Sequence, residues 1–254
     1  MKKTPPYTIV YEDENIVAVN KASGIPVCAD RWEPSQARLD AMLREDLGAT
    51  ILRVHRIDKG SSGLVVFAKN TGTHKKLCLD FEKRNITKSY IAAVHGKVMW
   101  DETSCDLPLL PDGNKNHLTI VDKYRGKQTL TRFKYLCGTS AISVLAVFPM
   151  TGRQHQIRVH LAKMGHPIVC DALYGTANPL YLSKIKRSWR GDRLEEKPLI
   201  TRLALHSETL GIHDYFTELQ ENSTKDLVLS APLHKDMSAL INQIRLRKCV
   251  MPHK

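Results

Sequence analysis

A single carboxylate stands among positive charges in the segment RVHRIDKGSSGLVVFAKN, residues 53–70. This carboxylate is Asp58, and a Gly-Ser-Ser-Gly stretch typical of a turn follows it. Its basic neighbours are Arg53, His55, Arg56 and Lys59. Nearby positive charge favours the ionised form of a carboxylate, which suits a nucleophile or an electrostatic partner better than a general acid. A salt-bridged turn residue without catalytic function explains this motif alone equally well.

A second segment whose residues could take part in chemistry is TGRQHQIRVH, residues 151–160. Its pattern predicts a helix over 151–167, with Thr151 as N-cap. On such a helix Arg153 and Ile157 would share one face, while Arg158 would point elsewhere. Arg153 could then meet a buried carboxylate. A phosphate-binding or solvent-exposed basic helix is the alternative, and it is the better explanation if no partner carboxylate exists.

The strand-like segment KSYIAAVHGKV, residues 88–98, contains Tyr90. A tyrosine on a strand is usually a half-buried packing residue with its hydroxyl at the rim, so a functional role needs independent support. Metal chemistry is not indicated, because His155 and His160 are wrongly spaced for one helical face. The chain also has no P-loop, dinucleotide fingerprint or nucleophile elbow. We therefore expect no metal and no cofactor.

The composition indicates a partner with negative charge. The 254 residues include 38 Lys and Arg against 26 Asp and Glu, which gives a net charge of +12. Nucleic acid explains this excess better than a merely soluble surface does, and a membrane explains it least. The six cysteines form no C-x-x-C pair, which favours reduced thiols in the cytoplasm. Neither a signal peptide nor a membrane-spanning run is evident in the sequence, so we expect a cytoplasmic protein, and a monomer.

These segments must be positioned by a mixture of strands and helices. A hairpin is expected over 7–21, helices over 35–48, 71–85, 151–167 and 231–248, a second hairpin over 131–150, and strands at 51–54, 63–69, 88–98 and 202–212. Ser35 would cap the first helix and Gly48 would end it. Residues 99–128 and 176–198 are expected to be a loop-rich insertion and a basic surface excursion. The order of elements lacks a strict βαβ rhythm, which predicts an α+β fold with a mixed, largely antiparallel sheet in one domain, residues 1–254.

Several segments together resemble the RluA-type pseudouridine synthases. HRIDKGSSGLVVFAKN is similar to the family's H-R-L-D-x-x-T-S-G-L block, KSYIAAVHGKV to its K-x-Y-x-A-x-V-x-G strand, and TGRQHQIRVHLAKMGHPIVCDALYG to its T-G-R-x-H-Q-I-R-x-H block with the G-D-x-x-Y-G that follows. The opening strand pair and the L-x-L-H-A strand also match, in family order, over residues 8–212. Departures include Ala22 for Pro, Ile57 for Leu, Gly60-Ser61 for x-Thr, Cys170 for Gly and Ser207 for Ala.

The resemblance implies isomerisation of uridine to pseudouridine in ribosomal or transfer RNA, without a cofactor or metal. It implies that Asp58 is the essential carboxylate, Arg153 its ion-pair partner and Tyr90 a proton-transfer group or stacking wall. It further implies that Ile157 packs against the base, that Arg56 fills the space left by the flipped uridine, and that His55 contacts the same region. No separate N-terminal RNA-binding module is expected.

Basic residues elsewhere are candidates for contacts with the RNA backbone, although a solvated surface charge is the better explanation for any single one of them. These are Arg31, Lys83, Arg84, Arg158, Lys184, Lys186, Arg187, Arg190, Arg245, Arg247 and Lys248. The alternative function is an RNA-binding or RNA-chaperone protein without catalysis on the same scaffold. A pure binding protein has no need of a carboxylate that faces phosphates, so the enzyme is the better interpretation.

Overall fold

The computed structural model describes residues 5–29, 35–186, 189–215 and 226–245, and these form two compact units. The first unit takes the described residues up to Tyr90 together with those from His206 to Pro232. The second unit takes the described residues from Ile91 to Leu205 and from Leu233 onward. Each unit is therefore built from two separate pieces of the chain. The expectation of one catalytic domain over 1–254 stays a prediction.

The secondary structure mixes short and long strands with five helices in the described residues. The strands are β1 (Tyr7–Glu12), β2 (Ile16–Lys21), β3 (Leu52–Arg53), β4 (Ser62–Ala68), β5 (Ile86–His95), β6 (Glu102–Cys105), β7 (Leu109–Leu110), β8 (Ile120–Val121), β9 (Thr131–Gly138), β10 (Ile142–Pro149), β11 (Leu205–Ile212) and β12 (Leu227–Ser230). The helices are α1 (Leu39–Leu47), α2 (Thr71–Lys83), α3 (Gln156–Lys163), α4 (Leu182–Ile185) and α5 (Lys235–Arg245).

In the first unit the strands follow the order β1-β2-β4-β11-β5. The β1–β2 and β2–β4 pairs are antiparallel, whereas β4 and β11 run parallel. β12 adds to β11, and β3 adds to β4, each in the antiparallel sense. The sheet is thus mixed and largely antiparallel, which confirms the predicted α+β class.

The core of the first unit explains why β2 and β4 are almost wholly apolar. Every residue of these two strands is buried, because both faces of the sheet are covered. One face packs Ile16, Ala18, Leu64, Val66 and Leu77, and the other packs Val17, Val19, Leu39, Leu43, Val65 and Phe67. Burying one large apolar side chain contributes about 1.5–3 kcal/mol, so this region is the stable base from which the neighbouring turns project.

In the second unit the strand order is β5-β10-β9-β6. β9 and β10 form the predicted antiparallel hairpin, in which Thr131 pairs with Pro149. Helices α3 and α5 pack against β9. The expected loop-rich insertion over 99–128 contains β6 and the small β7–β8 ribbon, and the 176–198 segment contains only the one-turn helix α4 among its described residues.

The first helix begins later than predicted. α1 starts at Leu39 rather than near Ser35, and its N-cap residue, Arg38, makes no side-chain cap. The preceding loop replaces the cap, because the Leu39 and Asp40 N–H groups donate to the carbonyls of Pro26 and Val27. Gly48 ends the helix in a left-handed conformation, as predicted. The last helix spans Lys235–Arg245 instead of 231–248, and residues 246–248 lie outside the described residues.

Candidate functional site

Asp58 lies in the first unit, on the segment that joins β3 to β4. Its carbonyl accepts a hydrogen bond from the Ser61 N–H over 3.1 Å, which closes the predicted turn. The carbonyl of Lys59 accepts from the Gly24 N–H over 2.8 Å, and the Ser23 hydroxyl donates to the Gly60 carbonyl over 2.6 Å. The turn is therefore fixed by the loop after β2, while the Asp58 side chain stays partly accessible.

A buried lysine ties the same loop and turn together. The ammonium of Lys21, on a side chain that is 0% exposed, donates to the carbonyls of Ala22 and Ile25 over 2.8 Å each and to that of Lys59 over 3.3 Å. A buried charge is tolerated only when hydrogen bonds satisfy it, and here the acceptors are main-chain oxygens on both segments. Lys21 thus fixes the backbone immediately after Asp58.

The other end of the turn docks on β11. Gly63 has φ +107°, and a Cβ there would lie 2.1 Å from the Ser207 carbonyl, so only glycine permits this close approach of β4 to β11. The Ser62 hydroxyl lies 3.0 Å from His206 Nδ1, and His206 Nε2 lies 3.1 Å from the Ala231 carbonyl. Because a carbonyl can only accept, His206 Nε2 is the donor to Ala231. Ser62 and His206 are fully buried, so this Ser-His pair holds the strands together.

Tyr90 lies on β5, next to β11 in the strand order of the first unit. Its ring packs against the apolar cluster that includes Ile57, and its hydroxyl is hydrogen-bonded to the Ser207 side chain. Burial raises the pKa of Tyr90 to about 12; the Ser207 hydrogen bond opposes this shift, and the negative charge of Asp58 adds to it. Tyr90 is therefore a neutral phenol at physiological pH, held where the Asp58 carboxylate acts on it.

The structure gives His55 a structural role that argues against the predicted RNA contact. Its Nε2 accepts a hydrogen bond from the Val66 N–H over 2.9 Å, and its ring stacks on Phe81 with centroids 4.8 Å apart. Burial, helped by the positive charge of Lys88, lowers the pKa of His55 to about 3, so the ring is neutral. Arg56, by contrast, is exposed, and its predicted place beside flipped RNA stays a prediction.

In the second unit the predicted helix over 151–167 begins only at Gln156, so Thr151 is not its N-cap. The N-cap residue is His155, and no side chain caps the helix. The Gln156 side chain instead holds the loop before the helix: its Oε1 accepts from the Thr151 hydroxyl and the Arg153 N–H, and its Nε2 donates to the Leu130 carbonyl. Arg153 therefore precedes the helix, on an exposed loop, and does not share a helical face with Ile157. The ion pair between Arg153 and Asp58 stays a prediction, as does the contact of Ile157 with the base.

Arg158 is buried, which corrects its predicted contact with RNA. Its guanidinium binds Asp171 through two hydrogen bonds of 2.9 and 2.7 Å, and it lies 5.1 Å from the Tyr174 ring centroid. The Arg158 side chain is 8% exposed and that of Asp171 is 0% exposed. Burial alone would raise the pKa of Asp171, but the bonds and charge of Arg158, together with hydrogen bonds from the Leu173 and Tyr174 N–H groups, outweigh burial and hold that pKa below its ordinary value.

Sequence reasoning missed three residues that organise these sites: Lys21, Asp171 and Ser207. Lys21 could have been found from its position, because it ends the run IVAVN and stands directly before a loop that contains Gly and Pro. Asp171 follows the G-H-P-I stretch of the family block, and Ser207 stands among the departures from the family pattern.

The predicted RNA-backbone residues divide between exposed, partly buried and undescribed positions. Lys83, Arg84, Lys184, Arg190 and Arg245 are exposed, and Lys186 is partly buried. Arg31, Arg187, Arg247 and Lys248 lie outside the described residues. Within the described part of the chain, no group of three or more His, Cys, Asp or Glu residues is arranged to hold a metal ion. None of the described helices combines the length and apolar character needed to cross a membrane.

Comparison with known proteins places the chain in a family. Residues 15–163, which include the Asp58 turn, Tyr90 and Arg153, match the family model described as RNA pseudouridylate synthase. The dual-specificity RNA pseudouridine synthase RluA of Vibrio vulnificus is 35% identical over 187 residues, which cover 71% of this chain and 74% of that protein. An uncharacterized RNA pseudouridine synthase of Bacillus subtilis, YjbO, is 32% identical over 93% of this chain and 76% of its own length.

A solved structure has the same fold. Human RNA Pseudouridylate Synthase Domain Containing 4 superposes with a TM-score of 0.69 over 93% of this chain and 92% of that chain, at 22% identity. The sequence similarity to named enzymes over most of the chain, together with the family match, identifies the reaction as pseudouridine synthesis in RNA. The chain belongs to the RluA-type pseudouridine synthases.

Proposed function

We propose that this enzyme flips specific uridines out of structured ribosomal or transfer RNA and isomerises them with Asp58 as the essential carboxylate and Tyr90 as the proton-transfer group. The observation that carries the proposal is that the half-buried Tyr90 packs against the apolar cluster containing Ile57, the residue next to Asp58, and both groups belong to the first unit. The charge of Asp58 adds to the raised pKa of Tyr90. The backbone that follows Asp58 is held by the Lys21 ammonium at Lys59 and by the bond between Ser62 and His206.

The reaction requires two kinds of chemistry at this place. The bond between the ribose C1′ and the uracil N1 breaks, the uracil turns, and C1′ bonds to C5, while one proton leaves C5 and one proton is gained at N1. Attack on the sugar needs a nucleophile and elimination needs a base, and an ionised carboxylate serves either route. Tyr90, whose raised pKa keeps it protonated, suits the movement of a proton to or from the turned uracil.

The RNA substrate is proposed from the relatives. One is named as a dual-specificity RNA enzyme, and another, from Buchnera aphidicola, as a ribosomal large subunit pseudouridine synthase. The net charge of +12 supports a structured polyanion as substrate, because each neutralised phosphate releases a counterion. Base flipping costs a few kcal/mol, and we propose that exposed cations near the turn, Arg56 above all, offset this cost.

The experiment that tests this proposal maps pseudouridines in total RNA from cells with and without the gene. We expect one or a few ribosomal or transfer RNA positions to lose pseudouridine in the deletion strain. The wild-type gene should restore these positions, and the Asp58→Asn gene should not. Unchanged maps would contradict the proposed RNA classes, and restoration by Asp58→Asn would contradict the role of the carboxylate.

A further inference from the structure

The segment between β8 and β9 presents a tyrosine almost entirely to solvent. Tyr124 is 98% exposed, the largest exposed fraction among the large apolar side chains that the structure describes. Single exposed apolar residues are normal on a protein surface, so the surroundings of Tyr124 decide whether it has a function. An aromatic ring with a polar tip is also the kind of side chain that interfaces favour.

The turn that carries Tyr124 is fixed by Asp122. One carboxylate oxygen of Asp122 accepts from the Tyr124 N–H over 3.0 Å and from the Arg125 N–H over 2.9 Å. Its other carboxylate oxygen accepts from Arg125 Nε over 2.9 Å, and its carbonyl accepts from the Gly126 N–H over 2.9 Å. The backbone of the turn is therefore ordered while the ring is exposed, so binding a partner here would order few further bonds.

The base of this turn is anchored to the start of β7. The Asp122 N–H donates to the Pro108 carbonyl over 3.1 Å, and Lys127 and Leu109 exchange two main-chain hydrogen bonds of 2.9 and 3.0 Å. A Cβ at Gly126 would lie 2.3 Å from the Asp122 carbonyl oxygen, so the chain can approach itself this closely only at a glycine. The turn is thus a fixed part of the second unit.

Positive charge flanks the exposed ring. Lys123, Arg125 and Lys127 are all exposed, and Asp122 is the acidic residue within 122–127, which gives this turn a net charge of +2. The Arg125 side chain is 70% exposed, whereas that of Asp122 is 12% exposed, so the cations face solvent and the anion is largely covered. A flat ring between cations matches RNA with unpaired bases, because the ring can stack on a base while the cations contact phosphates.

We propose that the turn formed by residues 122–127 binds the RNA substrate, with Tyr124 stacked on an unpaired base and Lys123 and Lys127 at neighbouring phosphates. The reacting uridine is assigned to Asp58 and Tyr90, so the stacked base is a different nucleotide of the same RNA. The inference rests on the proposed RNA substrate, but not on the catalytic roles of those two residues.

A second turn of the same unit offers a matched control. Leu194 is 96% exposed, and its N–H donates to an Asp192 carboxylate oxygen over 2.8 Å, so an aspartate holds the backbone here as well. Its side chain is aliphatic, and Glu195 and Glu196 follow it in the sequence. Leu194→Ala therefore removes an equally exposed apolar side chain that has no face for stacking.

The test measures filter binding of the full chain to two probes, an RNA hairpin with an unpaired loop and a perfectly paired RNA duplex with the same number of phosphates. We expect Tyr124→Ala to weaken binding of the hairpin by about five- to a hundredfold, the loss typical of one stacked base, and binding of the duplex by no more than about twofold. Tyr124→Phe and Tyr124→Trp keep an aromatic face and should bind the hairpin within about twofold of wild type, as should Leu194→Ala.

The cations have a different expected signature. Lys123→Met should weaken binding of both probes and reduce the slope of log affinity against log salt concentration by about one, because one phosphate contact is lost. Tyr124→Ala should leave that slope unchanged, since the tyrosine carries no charge.

The outcomes separate this inference from the proposed function. Because the Tyr124 side chain is exposed, Tyr124→Ala should unfold in urea at the wild-type midpoint, and a loss of affinity then reflects the missing contact. An unchanged affinity of Tyr124→Ala for the hairpin would overturn the inference, and it is the result expected if the ring faces a protein partner or solvent. Equal losses with both probes would overturn base stacking. A wild-type protein that binds neither RNA would contradict the proposed RNA substrate, and this inference with it.

Discussion

Replacing Lys21 by methionine tests how the turn that presents Asp58 is held. Methionine has nearly the same length but donates no hydrogen bond, so three main-chain carbonyls lose a donor at 2.8, 2.8 and 3.3 Å. A buried acceptor without a partner costs about 1–3 kcal/mol. Two effects reduce this cost. The Lys59 carbonyl still accepts the hydrogen bond from the Gly24 N–H, and removing the buried ammonium also removes the desolvation cost of burying it. We therefore expect a net loss of about 2–4 kcal/mol from a total stability of about 5–15 kcal/mol.

The assay is urea unfolding followed by far-ultraviolet circular dichroism, with the midpoint and slope compared between variants. Lys75→Met is the matched control, because Lys75 is exposed on α2 and its loss should change the free energy of unfolding by no more than about 0.5 kcal/mol. At temperatures where Lys21→Met stays folded, pseudouridine formation should also fall, since the backbone next to Asp58 is released. A Lys21→Met variant that matches the control in stability would refute this view of the turn.

Three further predictions concern the second unit and the RNA. Arg153→Ala should reduce the single-turnover rate about tenfold or more if its guanidinium supports the Asp58 anion, and an unchanged rate would remove Arg153 from the site. The pKa of Asp171 is lowered in the folded state, so its contribution to stability is present above about pH 4 and is lost as the pH falls through the folded value. In urea unfolding between pH 7 and pH 3, the free energy of unfolding should therefore fall less steeply with decreasing pH for Asp171→Asn than for wild type. Equal slopes for the two proteins would contradict this contribution. RNA affinity, measured by filter binding, should fall linearly with the logarithm of salt concentration, and a flat response would exclude extensive phosphate contacts.

The parts of the fold that follow local patterns could be predicted from the sequence. The apolar runs of β2 and β4, the hairpin over 131–150 and the stop of α1 at Gly48 are encoded within short segments, and all three agree with the structure. The turn predicted from Gly-Ser-Ser-Gly is confirmed only in its first half, because the chain turns between Asp58 and Ser61 and β4 begins at Ser62. Local patterns therefore predicted strands in both units and the end of α1.

The errors arise where contacts between distant residues override local signals. Thr151-Gly152 has the composition of a helix start, but the Gln156 side chain binds the Leu130 carbonyl, just before β9, and the helix begins only at Gln156. Arg158 was predicted to contact RNA, but it is paired with Asp171, a partner that lies beyond the helix. The bond between Ser207 and Tyr90 joins strands that are far apart in the sequence, so no local pattern could reveal it.

The most direct test of the central claim is the conversion of a target uridine by Asp58→Asn in a single-turnover reaction with purified protein and RNA. Asparagine keeps the size of the side chain and removes its charge, so we expect pseudouridine formation to fall by about a thousandfold or more while RNA affinity stays within about threefold of wild type. Turnover by folded Asp58→Asn at the wild-type rate would contradict the assignment of this carboxylate to the chemistry.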